Sequence, residues 1–123
     1  MTTTDLCRTP ATDLFVAIRA KQVSPVEIIE AVLARIEAVN PKINAYLAVD
    51  GDRALETARA AEAAVMRGDT LGLLHGLPIA IKDLEPSAGL RFTGGSVLYK
   101  NRVADTDDIV TERVKVAGGI VIG

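Results

Sequence analysis

The run Ile120-Val121-Ile122 limits the architecture more than any other stretch. Three consecutive β-branched residues between Gly118-Gly119 and Gly123 read as a strand buried on both faces. It follows directly on a helical pattern that Asp107 or Asp108 can cap and that carries Ile109, Val110, Val114 and Ala117. Helix, glycine turn and wholly apolar strand in that order belong to an α/β layer architecture, in which helices cover both faces of the sheet. A buried strand as the last element, with nothing after it to cover its edge, predicts that the natural domain continues past Gly123.

The first half of the chain reads as helical. A short helix spans 13–20, with Leu14, Phe15 and Ile18 on one face. Ser24-Pro25-Val26-Glu27 combines a serine N-cap, proline at the first helical position and a glutamate placed to close a capping box. The helix it opens carries the stripe Val26, Ile29, Val32, Leu33 and Ile36, with Glu27, Glu30, Arg35 and Glu37 mostly elsewhere. Asn40-Pro41 is expected to stop it. Residues 43–49 read as a strand. Asp50 or Asp52 then caps a third helix through about Met66 with Gly68 near its end, and its inner face is mainly alanine, which allows close approach but buries little apolar area. From Leu71 onward apolar triplets alternate with turn residues, so the strands and the site are expected there. Gly68-Asp69-Thr70 reads as a hinge between the two parts.

Composition excludes several classes. At 49% apolar, 24% charged and net charge −2, the chain reads as one globular unit without the basic cluster that nucleic-acid or membrane-surface binding requires. A small-molecule or peptide-like partner is expected. Cys7 is the only cysteine, which rules out an intrachain disulfide and a cysteine-rich zinc site. The first ten residues lack the basic and apolar regions of a signal peptide, and no apolar run is long enough to cross a bilayer, so cytoplasm is the expected location. His75 is the only histidine and reads as structural. Gly118-Gly119 opens no G-x-G-x-x-G pattern, and neither an organic cofactor nor a metal is called for.

The chemistry concentrates at Gly76-Leu77-Pro78-Ile79-Ala80-Ile81-Lys82-Asp83-Leu84, an apolar strand that delivers one lysine at its end. Sites in open α/β sheets gather beyond the carboxyl ends of strands, where a side chain reaches a cleft while its backbone stays fixed. To shuttle protons at neutral pH a lysine must be uncharged. Lowering its pKa from ~10.4 toward ~7–8 takes about 4 kcal/mol of differential destabilisation of the ammonium. The apolar flank Ile79, Ala80, Ile81 and Leu84 is expected to supply that by desolvation, and Asp83, which would favour the charged form, is expected to point away.

G-L-P-I-A-I-K-D resembles the glycine-x-proline-x-x-x-lysine-aspartate segment of the amidase signature family. E-P-S-A-G-L-R-F-T-G-G-S is similar to the family segment after that lysine, with Thr93, Gly95 and Ser96 at its threonine, glycine and serine. D-D-I-V-T-E-R-V-K-V-A-G-G-I-V-I-G resembles the family's helix-then-strand segment, and the S-P-V-E helix start also occurs in many members. With the S-P-V-E start included, these matches, in order, extend the resemblance over nearly the whole chain.

The resemblance implies the N-terminal part of the amidase signature fold, a mixed β-sheet covered by helices on both faces, with 1–123 as one portion of a single domain: helices over 1–70 and the start of the core over 71–123. It assigns Lys82 to a serine, cis-serine, lysine triad. In that scheme the lysine takes a proton through the cis-serine, the second serine attacks the amide carbonyl, and water later releases the acid from the acyl-enzyme. Metal and cofactor are unnecessary. The glycine- and serine-rich loop holding both serines lies further along in the family than Gly123, so these residues alone are expected to be inactive and to self-associate through uncovered apolar surface. Ser96 reads as a turn hydroxyl or a support of the lysine loop. Besides a hydrolase acting on a small-molecule amide, the open alternatives are an amidotransferase A-type subunit, a Schiff-base lysine enzyme, and a non-catalytic chain that pairs with a partner.

Overall fold

The structure, a computed structural model, describes residues 2–123. Five helices precede or flank two short strands: α1 (Thr3–Leu6), α2 (Ala11–Arg19), α3 (Pro25–Ile43), α4 (Gly51–Arg67), β1 (Pro78–Ile79), a 3₁₀ turn (Val97–Tyr99), α5 (Ile109–Val116) and β2 (Ile120–Val121). The strands pair in parallel, with Pro78 opposite Ile120 and Ile79 opposite Val121. An isolated antiparallel bridge joins Arg91 to Val103. Helices α3 and α4 pack on the strand pair and on each other, and α5 contacts β2. No helix among the described residues is long and apolar enough to cross a membrane.

Local chemistry starts and stops the helices where side chains can satisfy the free backbone ends. The Ser24 hydroxyl accepts from the Val26 amide at 2.9 Å, and the Ser24 amide donates to Glu27 Oε2 at 2.8 Å, closing the capping box. Asp50 caps α4 by accepting from the Arg53 amide at 3.2 Å, and Gly68 ends it with φ of 79°. Asp108 caps α5 through the Thr111 amide at 2.7 Å.

The stripe on α3 accounts for only one of its two buried faces. Ile29, with Val26, Val32, Leu33 and Ile36 around it, packs on Ala54, Ala58 and Ala61 of α4 and on Ile120 and Ile122. Ile28 and Ala31, outside the stripe, meet Leu6, Leu14, Ala17, Ile18, Val65 and Leu77 in a second cluster. The small alanines let α4 lie close to α3 and β2, as their run predicts. Gly118 allows a similar approach. Its φ of 90° favours glycine, and a Cβ there would sit 2.8 Å from the His75 Cα.

Several expectations need correction. Asn40-Pro41 does not stop α3, which runs on to Ile43. A proline inside the last turn removes one amide and forfeits one bond, while Asn44, at φ of 49°, closes the turn by donating to the Asn40 carbonyl at 2.7 Å. Residues 43–49 are not a strand: Ile43 ends α3 and no sheet partner lies beside the rest. That backbone is satisfied instead by the Asn40 side chain, which accepts from the Tyr46 amide at 2.8 Å and donates to the Tyr46 carbonyl at 3.0 Å. On α5, Ile109 and Val110 are exposed and Thr111 is fully buried.

Ile29→Ala is expected to lower unfolding free energy by about 2–5 kcal/mol, since it opens a cavity in a fully buried site, and Ala58→Leu by about 1–3 kcal/mol through overpacking. Val16→Ala, at a site 63% exposed, should stay within about 0.5 kcal/mol. Urea unfolding curves of the three variants check the order.

Candidate active site

Backbone pairing carries the strands beyond their two-residue cores. Ile120 donates to the Leu77 carbonyl at 2.8 Å, Ile122 to the Ile79 carbonyl at 3.0 Å, and Ile81 to the Gly123 carbonyl at 2.8 Å. The backbone is thus held up to the residue before Lys82, which emerges as the ladder ends. The regular strand stops at Ile79, three residues short of Lys82, so the lysine sits on a tethered loop rather than on the strand itself.

Asp83 anchors that loop from the other side. Its carboxylate accepts from the Thr93 amide at 2.8 Å, from the Thr93 hydroxyl, and from the Gly95 amide at 3.4 Å, while its carbonyl accepts from the Gly94 amide at 3.0 Å. Gly94 and Gly95 adopt φ of 59° and 73°, a left-handed turn that brings their amides round to Asp83. Burial pushes the Asp83 carboxyl up, but the Thr93 hydroxyl and amide, the Gly95 amide and the Arg91 charge outweigh it and hold the group below its ordinary value. Asp83 is therefore committed to the 93–95 turn, and Lys82 makes no ion pair within 4 Å among the described residues. Ser96 spends its hydroxyl as the cap of the 3₁₀ turn, accepting from the Leu98 amide at 3.3 Å.

Lys82 lies on the wall of a cleft of about 550 Å³, with Tyr46, Leu47, Glu85, Leu90 and Arg91 among the other lining residues. The expectation that its own flank would bury the amine is corrected here. Within these 123 residues Lys82 and Ala80 are exposed and Leu84 is 54% exposed, so the flank does not cover the amine. A dry environment for the amine has to come from groups other than these.

Nearby carboxyls form a second electrostatic feature. Asp108 holds the Glu85 carboxyl above its ordinary value, by a shared hydrogen bond and by its negative charge, and burial adds to this while Lys82 opposes it. The same hydrogen bond, with the Thr111 amide, lowers Asp108. Asp107 joins the loop to α5, accepting from the Ala88 amide at 2.8 Å and from Lys115 Nζ at 2.7 Å. His75 Nε2 lies 3.0 Å from the Ala61 carbonyl, to which it donates, tying the strand entry to α4. No group of three or more metal-ligating side chains occurs among the described residues.

Sequence reasoning placed Lys82, Asp83, Thr93 and Gly95 in one region, and the structure brings them together. It did not place Tyr46, Leu47, Glu85 or Arg91 on the same cleft. Tyr46 and Leu47 lie too far from Lys82 along the chain for any periodicity to connect them. Arg91 donates to the Leu47 carbonyl, a link between two irregular segments that no pattern announces.

Asp83→Asn and Thr93→Val test the anchor. A carboxylate with a depressed folded pKa stabilises fully above its unfolded value of about 3.9, and that contribution is lost as pH falls through the lower folded value. Unfolding midpoints measured from pH 7 down to pH 2 should therefore fall less steeply in Asp83→Asn than in the parent below about pH 4. In Thr93→Val the Asp83 carboxyl resonance should titrate at higher pH.

The family model described as Amidase matches residues 27–123. The A-type subunit of the glutamyl-tRNA(Gln) amidotransferase of Anaeromyxobacter sp. (strain K) is 39% identical over 119 residues, which is 97% of this chain and 24% of that protein. A bacterial aryl acylamidase of the amidase signature family superposes with a TM-score of 0.86 at 28% identity, covering 94% of this chain and 24% of that one. The peptide amidase of Stenotrophomonas maltophilia does so with a TM-score of 0.86 at 27% identity and the same coverage. The chain thus spans about a quarter of the length of the relatives it matches.

Proposed function

This chain belongs to the amidase family and has the fold of amidase signature enzymes over about a quarter of their length, and from that premise we propose that it supplies the proton-shuttling lysine of an enzyme that cleaves carbon–nitrogen amide bonds. The observation that carries the reading is the mounting of Lys82. The parallel ladder holds the backbone on one side, Asp83 clasps Thr93 and Gly95 on the other, and the amine faces a cleft without an ion-pair partner.

The chemistry follows from what an amide needs. Its carbonyl is a poor electrophile and its nitrogen a poor leaving group, so cleavage takes an activated nucleophile, donors for the oxyanion and an acid for the departing nitrogen. A neutral Lys82 amine accepts the proton that a nucleophilic serine releases, relayed through a second serine, as the serine oxygen bonds to the carbonyl carbon. The resulting ammonium returns a proton to the nitrogen as the carbon–nitrogen bond breaks. Water then cleaves the acyl-enzyme, and no metal or organic cofactor enters. The two serines belong to the family's glycine- and serine-rich loop, which these residues do not include, so these 123 residues by themselves should hydrolyse no amide.

A second reading has its own support, the 39% identity to the A-type subunit of an amidotransferase. On that reading the acyl-enzyme is still opened by water, and the ammonia released from the amide passes to an acceptor instead of into solvent. The two readings share the role of Lys82 and differ in the fate of the nitrogen.

In the complete enzyme, Lys82→Ala should lower kcat/KM for amide hydrolysis by about 10²–10⁴-fold. Lys82→Arg should fail to restore it, because guanidinium does not deprotonate in proteins. Steady-state ammonia release checks both, and near-parental rates in either variant would remove Lys82 from the chemistry.

A further inference from the structure

Two segments distant in the chain line the Lys82 cleft, the irregular stretch 45–48 after α3 and the stretch 80–91 that carries the lysine, and Gly123 lies on the same wall. Gly123 joins them on one side. A Cβ on it would overlap the Ala48 carbonyl oxygen and lie 3.2 Å from Tyr46 Cδ1, so the backbone there touches 45–48 directly. Its carbonyl accepts from the Ile81 amide at 2.8 Å, next to Lys82, and the Asp50 amide donates to the Ile122 carbonyl at 2.8 Å. A second link comes from the other end of the lysine loop. Among the described residues, the bond from the Arg91 guanidinium to the Leu47 carbonyl is the one hydrogen bond or ion pair that joins 44–49 to 82–95. The contacts thus run in a circuit, from Lys82 through Asp83 and Thr93 to Arg91, across to Leu47, and back through Ala48, Gly123 and Ile81.

Arg91 is itself mounted on a fixed base. Its backbone forms the antiparallel bridge to Val103, and on either side the Phe92 amide donates to the Arg102 carbonyl at 2.9 Å and the Ala104 amide to the Leu90 carbonyl at 2.9 Å. Arg102 braces the same pair, its guanidinium lying 4.2 Å from the Phe92 ring centre and 4.4 Å from that of Tyr99. The other partner lacks such support. Leu47 is 45% exposed, so burial does not hold it, and no ladder satisfies its backbone. A segment with few buried contacts opens at low cost unless something ties it. A charged donor on a backbone carbonyl is a strong tie for its size.

From this circuit we infer that Arg91 is a positioning residue of the amide-cleaving site, whose hydrogen bond to the Leu47 carbonyl holds the 45–48 wall closed against the Lys82 loop. The inference rests on the reading of Lys82 as the proton shuttle. It adds a residue that acts through the backbone of the wall and not on the proton. Without the tie the wall samples open arrangements, and apparent substrate affinity falls by the fraction of molecules still closed, while Lys82 keeps both of its own anchors.

The test uses the complete enzyme and two primary amides, hexanamide and glutamine, with the one the parent turns over faster carrying the comparison. Arg91→Met should raise KM for ammonia release about tenfold, the loss expected for one charge-assisted hydrogen bond, and leave kcat within about threefold. Arg91→Lys, which keeps a cationic donor, should recover part of the loss. Arg53→Met is the control. Arg53 ties α4 to the Ala88 carbonyl at 2.9 Å, outside this cleft, and Asp107 also holds Ala88, so KM should stay within about twofold. Hydrogen exchange followed by mass spectrometry should show faster exchange over 44–49 in Arg91→Met and unchanged exchange over 28–36 of α3. A fall in kcat alone, an equal rise of KM in Arg53→Met, or faster exchange that spreads through α3 overturns the positioning role. Repeating the exchange measurement in the Lys82→Ala enzyme separates the two claims. Turnover that survives Lys82→Ala sinks the lysine reading, whereas exchange over 44–49 that is indifferent to Arg91→Met sinks the positioning role alone.

Discussion

The parallel contact between 77–81 and 120–123 is the interaction on which the rest of the structure depends. Three backbone hydrogen bonds join segments some forty residues apart in the chain. Closing so long a loop costs conformational entropy that three such bonds alone cannot repay, so the contact persists because Ile120 and Ile122 are fully buried against α3 and α4. The helices hold the strands together, and the strands in turn fix where the chain exits at Lys82.

The exit is built by opposed constraints. On the strand side the Ile81 amide is pinned to Gly123, and on the loop side Asp83 is pinned to the turn at Thr93, Gly94 and Gly95. Between two fixed residues, Lys82 has a defined backbone and a free amine. Threonine supplies a hydroxyl and an amide to one carboxylate, and two glycines supply the left-handed turn that brings the Gly95 amide to it and the Gly94 amide to the Asp83 carbonyl. The lysine-aspartate pair is thus a division of labour in which the carboxylate positions the loop and the amine faces the cleft.

Much of this was legible in the chain. The capping box at Ser24, an aspartate cap at 50 or 52 and at 107 or 108, the alanine face of α4 and the helix–glycine–strand order at the end all follow from local rules that hold regardless of distant residues. The link between Lys82 and the threonine-glycine-glycine segment was legible through resemblance, because both motifs lie within a short stretch. Pro41 within α3 and the irregular 44–49 segment were not: the helix closes past the proline through the Asn44 amide on the Asn40 carbonyl, and the segment is held by the Asn40 and Arg91 side chains.

The sequence by itself determined where α3 begins, narrowed the starts of α4 and α5 to one of two aspartates each, and marked the lysine that follows an apolar run, because these are properties of residues within a turn or two of one another. Only the tertiary structure decided that α3 separates two buried clusters, that Lys82 is exposed rather than dried by its own flank, and that Tyr46 and Leu47 share its cleft. Those outcomes depend on the approach of segments distant in sequence. Their cost and gain are set by packing and by backbone groups seeking partners, which no window along the chain contains.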